Sequence, residues 1–378
     1  MDGPRTARRD ELAAIVSLVN RVFCGDGGRK LPMERSFPRL FSEANLDNLY
    51  VMFDGRRLAS FLATDLQDYV ACGCRLPLAC LGAVCTETDY RGQGLSSALL
   101  ETAYAQLRAK GRLMTIISGS RGLYYRTGAA PGVFAMCQWT ADAATLRAAE
   151  DASLRLEPLD RGNLGDLAAL NAREPMRFDW TEDWLRTVPL ALCSGEMGRG
   201  WIVRRGGEAV AAACLGATAY GEQPMSLSDW FGDRRAVVAS LSRMLDAAGT
   251  AQVSCRLVLQ DAAMMEALRG AGIEPERKTP WAWPIKVLDF DGLIAALGPH
   301  LRRTLADQAG AITATADGVR VRAGGCDFTS PDEAAAVQML LAMPDSYGPA
   351  LADCPEPVQA LMARAFPIPM RHYGLNYI

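Results

Sequence analysis

The chain has 378 residues, of which 49% are hydrophobic and 22% charged, and its net charge is −3. That length suggests two or three domains of roughly 100–200 residues each, with enough apolar content for large cores. The mild acidity argues against a polyanionic partner such as nucleic acid and gives only a weak preference for a cationic substrate. Eleven cysteines at irregular spacings and two distant histidines, His300 and His372, argue against a zinc or haem site. Cys72 and Cys74 form a C-x-C rather than a C-x-x-C. Free thiols, no signal-like start and no run of the ~20 apolar residues that a membrane helix needs lead to the expectation of a cytoplasmic protein that engages no membrane.

Along the chain, residues 10–23 (DELAAIVSLVNRVF) carry apolar side chains at helical spacing behind a possible Asp10 cap. Residues 48–70 read as strand, Asp54-Gly55 turn, strand. The apolar run LPLACLGAVCTE suits a buried central strand. The loop DYRGQG follows, then an amphipathic helix from Leu95 to Lys110, with Leu95, Leu99, Ala103 and Leu107 on one side and Gly111 as its stop. LMTIISG reads as another buried strand, and LYYRTGAAPGVFAMCQWTA as a turn and strand that close the unit.

A polar, alanine-rich stretch over residues 141–154 marks a boundary, after which the pattern repeats. Strand and helix (LRLEPLDRGNLGDLAALNAR), a hairpin at Gly206-Gly207, a strand and helix (LSDWFGDRRAVVASLSRMLDAAG), a strand (AQVSCRLVLQ) and a helix (DAAMMEALRGAGIEPE) appear in that order. From about Ile285 a third unit opens with an amphipathic segment, then a D-G hairpin and a helix starting at Ser330-Pro331. The tail FPIPMRHYGLNYI carries two prolines, Phe366, Tyr373 and Tyr377 and is poor in charge, so it is expected to dock rather than fray. The expected division is 1–145, 146–284 and 285–378, in an α+β class with mixed sheets.

The chemistry concentrates in DYRGQGLSSALL. A strand that ends in a glycine turn and feeds a helix offers free backbone N–H groups and a helix dipole to an anion. Arg91 adds a charged donor. A dinucleotide loop G-x-G-x-x-G needs glycine at position 97, which is Ser97, and a P-loop needs G-K-[ST], which is absent. The pattern present is R-x-x-G-x-[GAS], at Arg91, Gly94 and Ser96. It resembles the pyrophosphate loop of the GCN5-related N-acetyltransferase (GNAT) superfamily. With GSRGLYYRTGAAPG after the next strand, the chain resembles the enhanced intracellular survival family, which has two tandem GNAT-like domains and a sterol-carrier-like C-terminal α/β domain.

The resemblance implies acetyl-CoA as acyl donor, no metal, and a primary amine of a small molecule as acceptor: an aminoglycoside, polyamine, amino sugar or lysine-like amine. Attack would be direct, in a ternary complex. Val84, Cys85 and Thr86 would pair with the pantetheine arm. Arg91, Gly92, Gln93, Gly94, Leu95 and Ser96 would hold the pyrophosphate, and Gly119 and Ser120 would lie along the coenzyme. Tyr124 would act as acid at the coenzyme sulfur, with Tyr125 the alternative. The base implied is the C-terminal carboxylate, on Ile378, with Glu87, His372 or a water as alternatives. The resemblance also implies a homo-oligomer, up to a hexamer.

The second unit lacks the loop motif, and Asp229 and Asp233 would repel a phosphate there, so it is expected to be scaffold. Trp180, Trp184, Trp230, Trp281 and Trp283 are candidate cleft or core residues. Glu34, Glu43, Asp65 and Asp68 would attract a cationic amine or lie solvated at the surface. The competing readings are a non-catalytic acyl-CoA or lipid-binding module and an acyltransferase for longer chains.

Overall fold

The computed structural model describes residues 1–25, 31–131, 133, 136–195, 198–216, 225–277, 283–343, 347–371 and 374–377. The chain opens with strand β1 (Asp2–Thr6), helix α1 (Leu12–Phe23) and the short α2 (Met33–Ser36). Then come β2 (Leu49–Asp54), β3 (Arg57–Ala71), β4 (Cys74–Thr86), α3 (Leu95–Ala109), β5 (Met114–Ile117) and the one-turn α4 (Gly122–Tyr125). The middle of the chain runs β6 (Met136–Asp142), α5 (Ala143–Arg147), β7 (Leu154–Pro158), α6 (Leu164–Ala172), β8 (Arg177–Phe178), α7 (Glu182–Cys193), β9 (Ser194–Gly195), β10 (Gly198–Arg205) and β11 (Glu208–Gly216). It continues through β12 (Met225–Gly232), α8 (Arg234–Val238), α9 (Leu241–Ala248), β13 (Gln252–Val258), α10 (Ala262–Gly270) and β14 (Glu276–Arg277). The last part comprises β15 (Ile285–Val287), α11 (Phe290–Leu305), the antiparallel sheet β16 (Ile312–Thr315), β17 (Gly318–Ala323) and β18 (Cys326–Thr329), then α12 (Glu333–Leu341) and α13 (Glu356–Ala365).

The two large sheets share one plan. The first has the order β1-β2-β3-β4-β5-β15 and the second β7-β10-β11-β12-β13-β6-β14. In each, three antiparallel pairings lead to one parallel pairing, β4 with β5 and β12 with β13, and then to an antiparallel strand. The internal repeat read from the sequence is therefore a repeat of topology.

The closing strands are exchanged. Residues 136–142, read from sequence as the end of the first unit, pair with β13 of the second sheet from Gln252↔Asp142 to Val258↔Met136. The corresponding place in the first sheet is taken by β15, which pairs with β5. One strand thus crosses each of the expected boundaries near 145 and 285. Periodicity marks a strand but carries no information about which edge it joins.

Both faces of the first sheet are covered, which is why β3 and β4 are buried over most of their length. On one face, α3 packs Leu95, Leu99, Leu100, Ala103 and Leu107 onto Tyr50, Leu62, Leu81 and Val84. On the other, Ile15, Leu18 and Val19 of α1 share a core with Phe61, Ala63 and Cys85. Truncating a fully buried leucine such as Leu99 to alanine costs roughly 2–5 kcal/mol. Among the described residues no helix is long and apolar enough to cross a membrane.

Candidate active site

The first sheet opens where β4 and β5 part. Their parallel pairing ends at Leu81↔Ile117, and the last rung is the Ser118 N–H to the Leu81 carbonyl at 2.8 Å. Just beyond, β4 bulges: Phe61 faces Cys85 and Ala63 faces Gly82, so three steps on β4 match two on β3. Ala83 takes a φ of 52°, a left-handed conformation that costs an alanine on the order of 1 kcal/mol. β4 runs on to Thr86 while β5 has stopped. On that side the backbone of Val84, Cys85 and Thr86 has no strand partner among the described residues, and it is free to pair with an extended, amide-bearing chain. The sequence signal for this opening is Gly82 inside an otherwise continuous apolar strand.

The loop closes the other end of the opening. Gly92 and Gly94 adopt φ of 78° and 77°, and a Cβ at either would point into open space. Glycine is needed for the conformation itself. Gly94 caps α3 without any side-chain cap, so the first amides of the helix are left for an outside acceptor. Arg91 to Gly94 are exposed, while Leu95 anchors the turn in the core. Ser96 Oγ lies 2.7 Å from Thr86 Oγ1, which lies 2.8 Å from Ser60 Oγ, so the helix start is tied to the end of β4. Arg91 Nε donates to the Thr86 carbonyl at 3.4 Å. The open amides and the Arg91 guanidinium suit an anion such as a phosphate.

Tyr124 sits on α4, past the end of β5, in the same core as Val84 and Leu95. It is 3% exposed, and burial pushes its phenol up to about 12. A Cβ on Gly119 would meet the Tyr124 ring at 3.3 Å and Oη at 3.6 Å, so the absent side chain makes room for the phenol. Ser120 is exposed beside it. Tyr125 is half-buried and lies outside that core. Cys85 is buried, and burial pushes its thiol up to about 12 against the pull of Arg121, Arg21 and Arg91. Arg121, which bears on both Cys85 and Tyr124, is a candidate the sequence reading did not name.

Of the alternative bases, Glu87 pairs with Arg21 at 2.5 Å, and this bond holds its carboxyl below the usual range. A carboxylate so held is a poor proton acceptor. His372 and Ile378 lie outside the described residues, as do Tyr373 and Trp281. The tail is described up to Arg371 and again from Gly374 to Tyr377. Tyr69 on β3 donates to the Pro369 carbonyl at 3.1 Å and accepts the Arg371 N–H at 2.7 Å. Two residues back along β3, Gln67 Oε1 accepts from Asn376 Nδ2 at 3.0 Å, and Trp180 Nε1 donates to Asn376 Oδ1 at 3.1 Å. Tyr377 stacks on Trp283 at 5.3 Å and meets Phe37 edge-on at 5.7 Å. Tyr69 and Gln67 share one face of β3 with Asp65, Ala63 and Phe61. The tail therefore advances along β3 toward the residues opposite the bulge. A cavity of about 20 Å³ beside it is lined by Phe37, Arg39, Asp65, Trp184, Leu375 and Tyr377, among others.

The acidic candidates are largely paired: Glu34 with Asn20, Glu43 with Arg9, Asp65 with Arg39 and Gln67, and Asp68 with Arg75 and Arg112. Burial pushes the Asp65 carboxyl up. In the second sheet, Asp233 caps α8 by accepting from the Arg235 and Ala236 amides at 2.9 and 3.2 Å, and the Gly232 amide donates to Glu174 at 2.7 Å. The amides that would hold a phosphate are already satisfied by the protein's own carboxylates. Asp229 does not face that turn. It is buried in β12 and turned toward the tail, which corrects its expected role as a phosphate-repelling residue. Among the described residues no group of three or more His, Cys, Asp or Glu is placed to hold a metal ion.

An opened parallel pair, a glycine-capped helix start and a phenol at the end of the next strand together define the acyltransferase class built on the GNAT fold. Residues 4–132 match the family model for an acetyltransferase (GNAT) domain, and the chain is by that domain a GNAT-type acyltransferase. Its fold is that of a GCN5-related N-acetyltransferase from Kribbella flavida, at 15% identity over 99% of both chains and a TM-score of 0.66. It is shared by Eis1 from Mycobacterium abscessus, at 14% identity over 89% of both chains and a TM-score of 0.57. An N-myristoyltransferase from Saccharomyces cerevisiae with bound myristoyl-CoA is similar over 75% of this chain and 80% of its own, at 11% identity and a TM-score of 0.51. No curated protein sequence matches the chain.

Proposed function

We propose that the protein transfers an acetyl group from acetyl-CoA to a primary amine of a small molecule by direct attack in a ternary complex. The observation that carries this reading is the convergence, within one core, of the unpaired edge of β4, the open amides at the start of α3 and the Tyr124 phenol. The coenzyme supplies an activated thioester. The backbone of Val84, Cys85 and Thr86 would hold its arm, and the amides from Gly92 to Ser96 with Arg91 its pyrophosphate. Gly119 and Ser120 would border the arm on the β5 side.

Tyr124 would donate a hydrogen bond to sulfur as it gains charge. With the phenol near 12 and a thiol near 8.5, full proton transfer is uphill by about 5 kcal/mol, so a strengthening hydrogen bond is the favoured role. Cys85 would stay a neutral thiol and take no acyl group, consistent with direct attack. The base would be the terminal carboxylate on Ile378, and the reading is supported by the course of the tail along β3. The second unit, 146–284, would serve as scaffold beside the catalytic unit 1–145. The unit 285–378, expected to be sterol-carrier-like, would deliver the tail. Self-association into a homo-oligomer rests on family resemblance, and sedimentation velocity tests it.

The test is thiol release from acetyl-CoA with a panel of polyamines, aminoglycosides and amino sugars. Turnover with at least one amine is expected. Tight acetyl-CoA binding without turnover on any of them would favour a non-catalytic binding module instead.

A further inference from the structure

We propose that Asp229, on the second sheet, is a positioning residue that seats the chain end over the first sheet by clamping Arg371 and the backbone of Leu375. The functional part of this inference rests on the reading of the terminal carboxylate as base. The clamp itself rests on geometry alone.

β12 is the counterpart of β4 and has kept its opening. Among the described residues it pairs in parallel with β13 only at Met225 and Ser226. It then bulges, since Leu227 faces Leu215 and Asp229 faces Cys214, two steps on β12 for one on β11. Asp229 follows the bulge, as Cys85 follows the bulge in β4. The chain's own tail is seated against this opened segment. The Arg371 guanidinium bonds Asp229 Oδ1 at 2.9 Å and the Trp230 carbonyl at 2.9 Å, and it lies over the rings of Phe231 at 4.8 Å and Trp230 at 5.4 Å. The second carboxylate oxygen, Oδ2, accepts the Leu375 N–H at 2.5 Å. Gly374, at a φ of 51°, lies so close that a Cβ there would meet the Asp229 carboxylate at 2.1 Å.

Both partners are buried, with side chains 9% and 5% exposed. A buried carboxylate and guanidinium tolerate burial only together, since removing one leaves the other uncompensated. One carboxylate therefore fixes two points of the tail, at 371 and 375, and the next residues reach Gln67 and Trp180 through Asn376. This gives the second unit a task beyond bulk: an opening that no longer accepts phosphate receives the terminus.

The experiment follows the trimming of the native full-length protein by a carboxypeptidase, together with kcat and the KM for acetyl-CoA. The variants are Asp229→Asn, Gly374→Ala and Arg371→Lys. Loss of one member of a buried pair should raise the rate of release of the last five residues on the order of a hundredfold in Asp229→Asn. Gly374→Ala should do the same with both charged side chains still present, because its Cβ would push against the Asp229 carboxylate, and Arg371→Lys should fall between them and wild type. kcat should drop with the KM for acetyl-CoA unchanged, and Asp229→Asn should add nothing in a chain extended past Ile378. Faster trimming with kcat intact would uphold the clamp and reject the terminal carboxylate as base. Trimming within twofold of wild type in both Asp229→Asn and Gly374→Ala would overturn the clamp.

Discussion

Replacing Tyr124 by phenylalanine tests the chemistry at the sulfur. The phenol is buried and pushed up to about 12. It would therefore remain protonated across the working range and act as a donor, not as a titrating acid. A hydrogen bond to a developing thiolate is worth roughly 1.5–3 kcal/mol, which corresponds to a loss of roughly 10- to 150-fold in kcat. An obligatory proton transfer would instead cost roughly 10²–10⁴-fold. The ring stays, so its packing against Gly119 and the α3 core is kept and the fold should tolerate the change. Thiol release at saturating amine reads kcat, and calorimetry reads acetyl-CoA affinity, which should stay within a few-fold. The pH profile adds a second criterion: no basic limb that Tyr124→Phe removes should appear below about pH 11, given the phenol's value near 12. An unchanged kcat would refute the assignment. A limb near pH 10 that vanishes in the variant would refute the argument from burial.

Three further outcomes follow. Arg91→Ala combined with Gly94→Asp puts a carboxylate where the open amides face the coenzyme. Acetyl-CoA affinity should fall at least tenfold by titration, and unaltered affinity would remove the loop from the site. Cys85 should resist iodoacetamide at pH 8, because burial holds its thiol near 12, and Cys85→Ala should retain turnover; rapid alkylation by mass spectrometry would contradict this. Burial also raises the Asp229 carboxyl from 3.8 to about 6, against the lowering effect of Arg371. A raised folded-state value means that its contribution to stability is full below about pH 4 and is lost as pH rises through 6. Wild type should thus gain about 2.4 kcal/mol relative to Asp229→Asn as pH falls from 7 to 4, read from urea midpoints, and a constant difference would contradict the burial argument.

Much of the first unit was legible because its signals are local. Asp54-Gly55 sets a hairpin, the four-residue repeat from Leu95 sets α3, and Arg91, Gly94 and Ser96 set the loop between them. Glycines at 92 and 94 do require positive φ, as a cradle of backbone amides demands. The docking of the tail was also readable, since its aromatic and proline content leaves little to solvate. What the sequence did not reveal is long-range. The exchange of β6 and β15 depends on which sheet edge lacks a neighbour. The partnership of Asp229 and Arg371 spans 142 positions and two units. The bulge at Ala83 needed the register of β3 against β4, for which Gly82 was only a hint. Asp229 looked like a repelling charge on the second loop because its place in β12, past a second bulge, was invisible to pattern alone.

The most direct test of the account is a calorimetric titration of the protein with acetyl-CoA, run beside Gly94→Asp and Asp233→Ala. One site per chain is expected, lost or strongly weakened in Gly94→Asp and retained in Asp233→Ala, because among the described residues only the first sheet combines the opened strand with open helix amides. Two sites per chain, or binding that survives Gly94→Asp and disappears in Asp233→Ala, would contradict it.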